Sequence, residues 1–107
     1  MEQFTKIKVR NFTNSIGNQI ANQFIINRTD DRGNDEEIFQ SYDSIIAIKL
    51  INNLLVDKLN MCGVILDENY WDYSRTTGKY RNQFLGETKK ETERKIKTGE
   101  YLLVDLN

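Results

Sequence analysis

The stretch Trp71-Asp72-Tyr73-Ser74-Arg75-Thr76-Thr77-Gly78-Lys79-Tyr80 decides how the chain is organised. It holds the only Trp and two of the five Tyr, together with basic and hydroxyl side chains. An apolar run, Val64-Ile65-Leu66, comes before it and predicts a strand. The hydroxyl side chains offer N-caps for a helix over 77–85 that ends at Gly86. This density of aromatic, cationic and hydroxyl groups is typical of a core corner or of a contact surface.

A second helix is predicted directly after the first. Thr88-Lys89-Lys90-Glu91 is a capping-box pattern, in which Thr88 caps the helix and Glu91 stands three residues later. The helix is predicted over 89–98 and ends at Gly99. Because Ile96 is its only clearly apolar residue, capping and ion pairs along the helix must contribute to its stability. Residues 101–106 then alternate enough to predict a final strand.

Three further strands are predicted upstream, over residues 4–9, 19–27 and 37–41, from alternating or apolar runs. The polar run 28–35 between the last two predicts a hairpin loop. Since short connections allow antiparallel pairing and parallel pairing needs a long crossover, these strands are predicted to be antiparallel.

Residues 44–61 allow two interpretations. Apolar residues from Ile45 to Leu59 follow a helical stripe, which predicts a helix over about 44–60. The run Ile45-Ile46-Ala47-Ile48 is equally typical of a strand, with Asn52-Asn53 as a turn. We favour a strand at the start, followed by a helical or irregular excursion around 53–61. The predicted fold is a single α+β domain over residues 1–107, an antiparallel sheet of four to six strands with two short C-terminal helices.

The composition is that of a globular domain, with 38% hydrophobic and 29% charged residues among 107. No apolar run reaches the length of a membrane span and no signal peptide is visible, so we expect a cytoplasmic protein of a bacterial cell. There is no His, and Cys62 is the only Cys, which removes the commonest general base and any thiolate metal cluster. We therefore expect no enzyme activity, no cofactor and no metal site.

Five acidic residues lie in or beside the predicted hairpin loop, where they are candidates to mimic phosphate spacing towards a basic partner. They are Asp30, Asp31, Asp35, Glu36 and Glu37. Carboxylates on a loop are more commonly only solvated. Solvated carboxylates are also poor candidates for catalysis, because burial or a close partner is needed to shift the pKa of a carboxylate.

Residues 75–107 carry eight Lys/Arg against five Asp/Glu, a net charge of +3. The eight cations are Arg75, Lys79, Arg81, Lys89, Lys90, Arg94, Lys95 and Lys97. With Trp71, Tyr73 and Tyr80 beside them, they predict a surface that binds phosphate and stacks bases. The alternative is a solvated helix face over core aromatic residues. We expect Trp71, Tyr80 and Phe84 to be structural.

Three segments carry a resemblance to known proteins: Asn18-Gln19-Ile20-Ala21-Asn22-Gln23-Phe24, Phe39-Gln40-Ser41-Tyr42-Asp43-Ser44-Ile45-Ile46-Ala47, and the run from Trp71 to Leu85 with its W-D-Y-S-x-T-T-x-K-Y pattern. The chain resembles a family of short proteins of unknown function from phages, plasmids and integrated elements of Gram-positive bacteria. Some small proteins of such elements, including similar ones, act as anti-CRISPR inhibitors of Cas9.

The resemblance implies a mobile-element accessory protein that binds Cas9 or the Cas9–guide RNA complex and inhibits it stoichiometrically. The alternative is a small nucleic-acid-binding regulator that contacts RNA through its basic C-terminal face. The acidic residues of the hairpin and the basic C-terminal helices remain two separate candidates for the contact surface.

Overall fold

The computed structural model describes residues 4–51 and 63–107. Six strands and two helices lie in these ranges. In chain order they are β1 (Phe4–Thr13), β2 (Gln19–Asp30), β3 (Asp35–Ser41), β4 (Ser44–Ile51), β5 (Val64–Asp67), α1 (Arg75–Leu85), α2 (Lys89–Thr98) and β6 (Leu102–Val104). The predicted α+β class, with one sheet and two C-terminal helices, is confirmed.

The strands form one sheet in which the spatial order, β1-β2-β3-β4-β5-β6, is the order of the chain. The first five strands pair antiparallel with their neighbours. β6 pairs parallel with β5, so the prediction of a wholly antiparallel sheet is wrong for this last pair. The reason is the connection, because both helices lie between β5 and β6, and a crossover of this length can return the chain to the end of the sheet at which β5 begins.

The β2–β3 hairpin is tighter than its polar sequence suggests. Arg28 pairs with Glu36 and Thr29 with Asp35 as strand residues, so the predicted loop over 28–35 shortens to a turn at 31–34. Asp30 holds the turn by accepting hydrogen bonds from the backbone N–H of Arg32 and of Asn34, both at 2.9 Å. By accepting these backbone hydrogen bonds the Asp30 carboxylate stabilises the short turn, as Asp side chains commonly do.

Residues 44–51 form a strand, which confirms the favoured interpretation of this run and contradicts a helix from residue 44. A register shift opposite Phe39 and Gln40 leaves Ile46 and Ala47 both buried. The expected excursion around 53–61 and the environment of Cys62 lie outside the described residues.

Both helices begin and end at residues that the sequence predicts within two positions. Ser74 caps α1 and accepts a hydrogen bond from the N–H of Thr77, and Gly86 ends it with φ at 68°. Thr88 and Glu91 form the predicted capping box of α2. Neither helix has the length and apolar character needed to cross a membrane, and no other helix in the described ranges does.

The core lies between α1 and one face of the sheet. The ring of Phe12 lies 5.3 Å from that of Phe39 and 5.2 Å from that of Tyr80, and Phe39 lies 5.8 Å from Phe84. Tyr80 and Phe84 are therefore structural, as predicted. Trp71 is partly buried and packs against the edge of this cluster.

Candidate functional site

A shallow groove of about 770 Å³ runs along α1 and reaches the first residue of α2. We call it the α1 groove. Helical periodicity brings Arg75, Lys79 and Asn82 onto one face of α1, since residues three and four apart are neighbours on a helix. Gly78 lies among them and, having no side chain, leaves the groove open. Lys89, the first residue of α2, also lines the groove.

Arg81 lies beneath the groove and is only 1% exposed. Its guanidinium donates to the carbonyl oxygen of Trp71 at 2.8 Å, to the Asp72 carboxylate at 3.1 Å and to the Asn82 side chain at 3.0 Å. It also lies over the Trp71 ring, 5.2 Å from the centroid. Its Nε is buried and has no hydrogen-bond partner among the described residues. This geometry fixes a positive charge below the surface of the groove.

Asp72 is the only carboxylate among the described residues that line the groove. Burial raises its pKa, but hydrogen bonds from Lys89 (2.7 Å) and Arg81 outweigh burial and lower the pKa below its ordinary value. Two cations share this one charge. Arg75 and Lys79 are exposed and make no ion pair within the part of the chain that the structure describes, so the α1 groove keeps an excess of positive charge.

The other four predicted cations lie on α2 and do not join the groove. Lys90, Arg94 and Lys97 are exposed, and Arg94 lies 3.7 Å from Glu100. Lys95 faces inwards and donates to Glu87 at 2.8 Å. The hydrogen bond from Lys95 to Glu87 raises the pKa of Lys95. The structure thus separates the eight cations into a groove set, a solvated stripe and one internal ion pair.

Glu87 is the centre of that internal network. Its side chain is 4% exposed and accepts hydrogen bonds from Thr92 and from the hydroxyl of Tyr101, both at 2.6 Å. Burial raises the pKa of Glu87, yet these bonds and the one from Lys95 lower it overall. Burial and the adjacent Glu87 raise the pKa of Tyr101 to about 12. The network joins α2 to the segments on either side of it.

The predicted acidic loop is a short turn between two strands in the structure, and four of its five carboxylates are engaged. Asp30, Asp35 and Glu36 have partners within the hairpin, whereas Glu37 pairs with a residue of β4. Asp30 is 5% exposed, and the hydrogen bond from the Asn34 side chain lowers its pKa. Asp35 accepts from Thr29 at 2.6 Å. Asp31 alone of the five lies exposed in the turn.

Glu36 and Glu37 are strand residues and point to opposite faces of the sheet. Glu36 pairs with Arg28 at 2.7 Å, and Glu37 pairs with Lys49 at 3.3 Å. The acids therefore do not form one row. Within the described ranges, no cluster of three or more acidic or sulfur side chains could hold a metal ion.

A second cavity of about 290 Å³, which we call the tyrosine cleft, was missed by the sequence prediction. It is lined by Tyr42, Tyr70 and Tyr73, and it shares Ser74 with the α1 groove. The signal in the sequence was the pair Tyr42-Asp43, since a two-residue turn between two strands leaves its side chains exposed. The aromatic residues predicted to stack were Trp71, Tyr73 and Tyr80. Tyr80 is buried and Trp71 is partly buried, so of these three only Tyr73 is exposed and lines the cleft.

Neither a curated protein nor a solved structure matches the chain. A family model does match, and it describes a family of unknown function, DUF8033, over residues 7–100. These residues include β2 to β5, both helices, the α1 groove and the tyrosine cleft. Because the match spans most of the 107 residues, the chain belongs to this family.

Proposed function

We propose that the protein acts by binding a nucleic acid, whose phosphate groups lie in the α1 groove. The observation that carries this proposal is the imbalance of charge in the groove. Four cations line it (Arg75, Lys79, Arg81 and Lys89), and one carboxylate opposes them. Phosphate oxygens are acceptors for Lys and Arg, and release of the counterions around a nucleic acid drives such contacts.

The orientation of α1 adds to the positive electrostatic potential of the groove. Its N-terminus lies beside Arg75, and its first turn contains no acidic residue. The positive end of the helix dipole therefore reinforces the lysine and arginine charges rather than neutralising an internal carboxylate. Arg81 is held in place by three hydrogen bonds, so its charge needs no ordering when a ligand arrives.

The test is fluorescence anisotropy with labelled RNA and DNA over a series of salt concentrations. We expect the wild-type protein to bind with an affinity that falls steeply with salt. Replacing both Arg75→Gln and Lys79→Gln should weaken binding and reduce the slope of log affinity against log salt by about 1 for each phosphate that the protein no longer neutralises. Lys6→Gln together with Lys8→Gln is the matched control, because it removes two exposed charges from β1, outside the groove.

Two results would contradict the proposal. The first is an absence of binding to any nucleic acid at low salt. The second is a larger decrease in affinity from Lys90→Gln and Lys97→Gln than from the two groove substitutions, since these two residues lie on the exposed stripe of α2.

We also propose a specific nucleoprotein target, the Cas9–guide RNA complex in the cytoplasm of a bacterial host, with the protein encoded by a phage or another mobile element. Two of the segments that carry the resemblance meet at the candidate site. The hydroxyls of Ser41 and Thr77 lie 3.0 Å apart and join the end of β3 to α1. This arrangement supports a single contact surface built from both segments.

The target is tested by a Cas9 cleavage assay together with size-exclusion chromatography. We expect the protein to co-elute with the complex and to block cleavage. We also expect the two groove substitutions to weaken inhibition, while Lys6→Gln together with Lys8→Gln does not. Inhibition only before guide loading places the contact on the guide-binding surface. Full cleavage at large molar excess with several Cas9 orthologues, without co-elution, would reject this target.

A further inference from the structure

We infer that the tyrosine cleft holds one unpaired base of the nucleic acid whose phosphates lie in the α1 groove. The inference rests on the proposed function and makes the protein a binder of single strands. Duplex bases are stacked and unavailable, whereas single-stranded bases can stack on aromatic side chains. Three features support this role: the exposed rings of the cleft, the backbone of Tyr42 and the polar groups around them.

Two tyrosine rings are exposed at this one place. Tyr42 is 55% exposed and Tyr73 is 70% exposed, although large aromatic side chains are usually well buried. Tyr70 supports Tyr73 through an edge contact with ring centroids 5.4 Å apart. Tyr70 itself packs against the core, so the exposed ring of Tyr73 rests on a fixed base. Such a platform suits a flat ring that stacks on it.

The backbone of Tyr42 is in the left-handed region, with φ at 54°. Bulky residues rarely adopt this conformation, and Gly, Asn or Asp would fit the turn better. Hydrogen bonds hold the conformation, because the Tyr42 N–H donates to the Asn22 carbonyl at 2.7 Å and the Gln40 side chain donates to the Tyr42 carbonyl at 2.7 Å. A strained residue whose ring lies outside the core points to a binding role for that ring.

In this arrangement the base of a nucleotide lies in the tyrosine cleft and its phosphate lies in the α1 groove. Buried Ile46 and Thr77 line the cleft, while Asp43 is exposed at its rim. The Asp43 carboxylate repels phosphate but can accept a hydrogen bond from the amino group of a base. Ser74 lines both cavities, so the base side and the phosphate side are adjacent. At about 290 Å³ the cleft is at the small end of ligand pockets, a size suited to one ring system.

The test compares four labelled ligands of equal length: single-stranded RNA, single-stranded DNA, an abasic strand and a duplex. We expect the wild-type protein to bind at least one of the intact single strands about tenfold more tightly than the abasic strand, because an abasic strand has no bases to stack on aromatic side chains. Tyr42→Gly and Tyr73→Ala should lower affinity for the intact strand to the abasic level and leave its salt dependence unchanged. Tyr73→Phe keeps the ring and should bind as the wild type does.

Tyr42→Gly also separates a binding role from a structural one. Glycine accepts the left-handed backbone, so this variant should melt no lower than the wild type. Equal wild-type affinity for intact and abasic strands would overturn the inference and leave the groove proposal intact. Wild-type affinity in Tyr42→Gly and Tyr73→Ala would do the same. If the wild-type protein bound none of the four ligands, the proposed function and this inference would both fail. Binding to the duplex alone would overturn this inference and leave the groove proposal intact.

Discussion

At the scale of single residues, Gly78 leaves space in the α1 groove but lowers the stability of the helix that contains it. It lies inside α1 and faces the guanidinium of Arg81, where an added Cβ would be 3.6 Å from the nearest nitrogen. That distance is an ordinary van der Waals contact, so the fold has room for a methyl group. Glycine inside a helix is less favourable than alanine, and its presence here keeps the α1 groove open.

We therefore expect Gly78→Ala to stabilise the protein by about 0.5–1 kcal/mol, because alanine has less backbone freedom to lose on folding. For a domain of this size, 1 kcal/mol corresponds to roughly 4–8 °C in melting temperature. The same methyl group narrows the groove and should weaken nucleic-acid binding. Thermal melting and anisotropy on one preparation measure both effects. A lower melting temperature would show that the space beside Arg81 cannot accept the methyl group.

At the scale of the element, α2 depends on its ends more than on its packing. Only Thr92 in this helix is buried, with Ile96 packed partly against the core. The capping box supplies two hydrogen bonds of 3.3 Å between Thr88 and Glu91, one in each direction. A helix with so little buried apolar surface gains a large share of its stability from such local bonds.

Thr88→Ala should destabilise the protein by about 0.5–2 kcal/mol, the usual cost of removing a helix cap. Thr76→Ala is the control, because Thr76 is exposed in α1 and makes no hydrogen bond among the described side chains. Urea denaturation gives both free energies of unfolding. Equal stability of Thr88→Ala and Thr76→Ala would mean that packing alone holds α2.

These elements also show which parts of the structure could be predicted from the sequence. Helix caps depend on residues that are close in sequence, so the helix ends at Ser74, at Thr88 and at the glycine after each helix could be predicted. The parallel β5–β6 pair was not, because it joins residues almost forty positions apart. The strand β4 was ambiguous since both its faces are apolar, with Ala47 beside Phe39 and Ile48 beside Ile38.

The candidate site was predicted in part for the same reason. The run of cations was visible, but its division depends on which side of each helix faces the sheet. Lys95 turns inwards because Glu87 and Tyr101 meet it there, and neither contact follows from composition. The role of Tyr42 could not be predicted from the sequence. It depends on the conformation of a turn and on closeness to Tyr73, which is thirty-one positions away in the chain.

At the scale of the whole molecule, three carboxylates among the described residues connect segments that are distant in the sequence. Asp67 is fully buried and accepts hydrogen bonds from the N–H groups of Asn69, Tyr70 and Leu106. Asp72 links α1 to α2 through Arg81 and Lys89, and Glu87 links α2 to Tyr101. Burial opposes ionisation at each of them, but their hydrogen bonds prevail and lower all three pKa values.

We therefore expect the stability of the protein to fall in acid. A carboxyl group whose pKa is lower in the folded than in the unfolded state stabilises the fold above its unfolded pKa. That stabilisation is lost as the pH falls through the folded pKa. Melting temperatures should be nearly constant from neutral pH to about pH 5 and then decrease below about pH 4, where free Asp and Glu titrate.

Glu87→Gln should melt at a lower temperature than the wild type at neutral pH, and its melting temperature should fall less on acidification. A wild-type profile that stays flat to about pH 3 would contradict this account.

The agreement between chain order and strand order has a consequence for synthesis on the ribosome. Each strand from β2 to β5 pairs with the strand translated just before it, so the sheet can grow at one edge as the chain emerges. Short-range pairing of this kind carries little loop-closure entropy and favours early folding. Only β6 and Leu106 arrive late, after both helices. Until then the carboxylate of Asp67 lacks its last backbone donor, so the nascent sheet is completed only when residues 102–106 have left the ribosome.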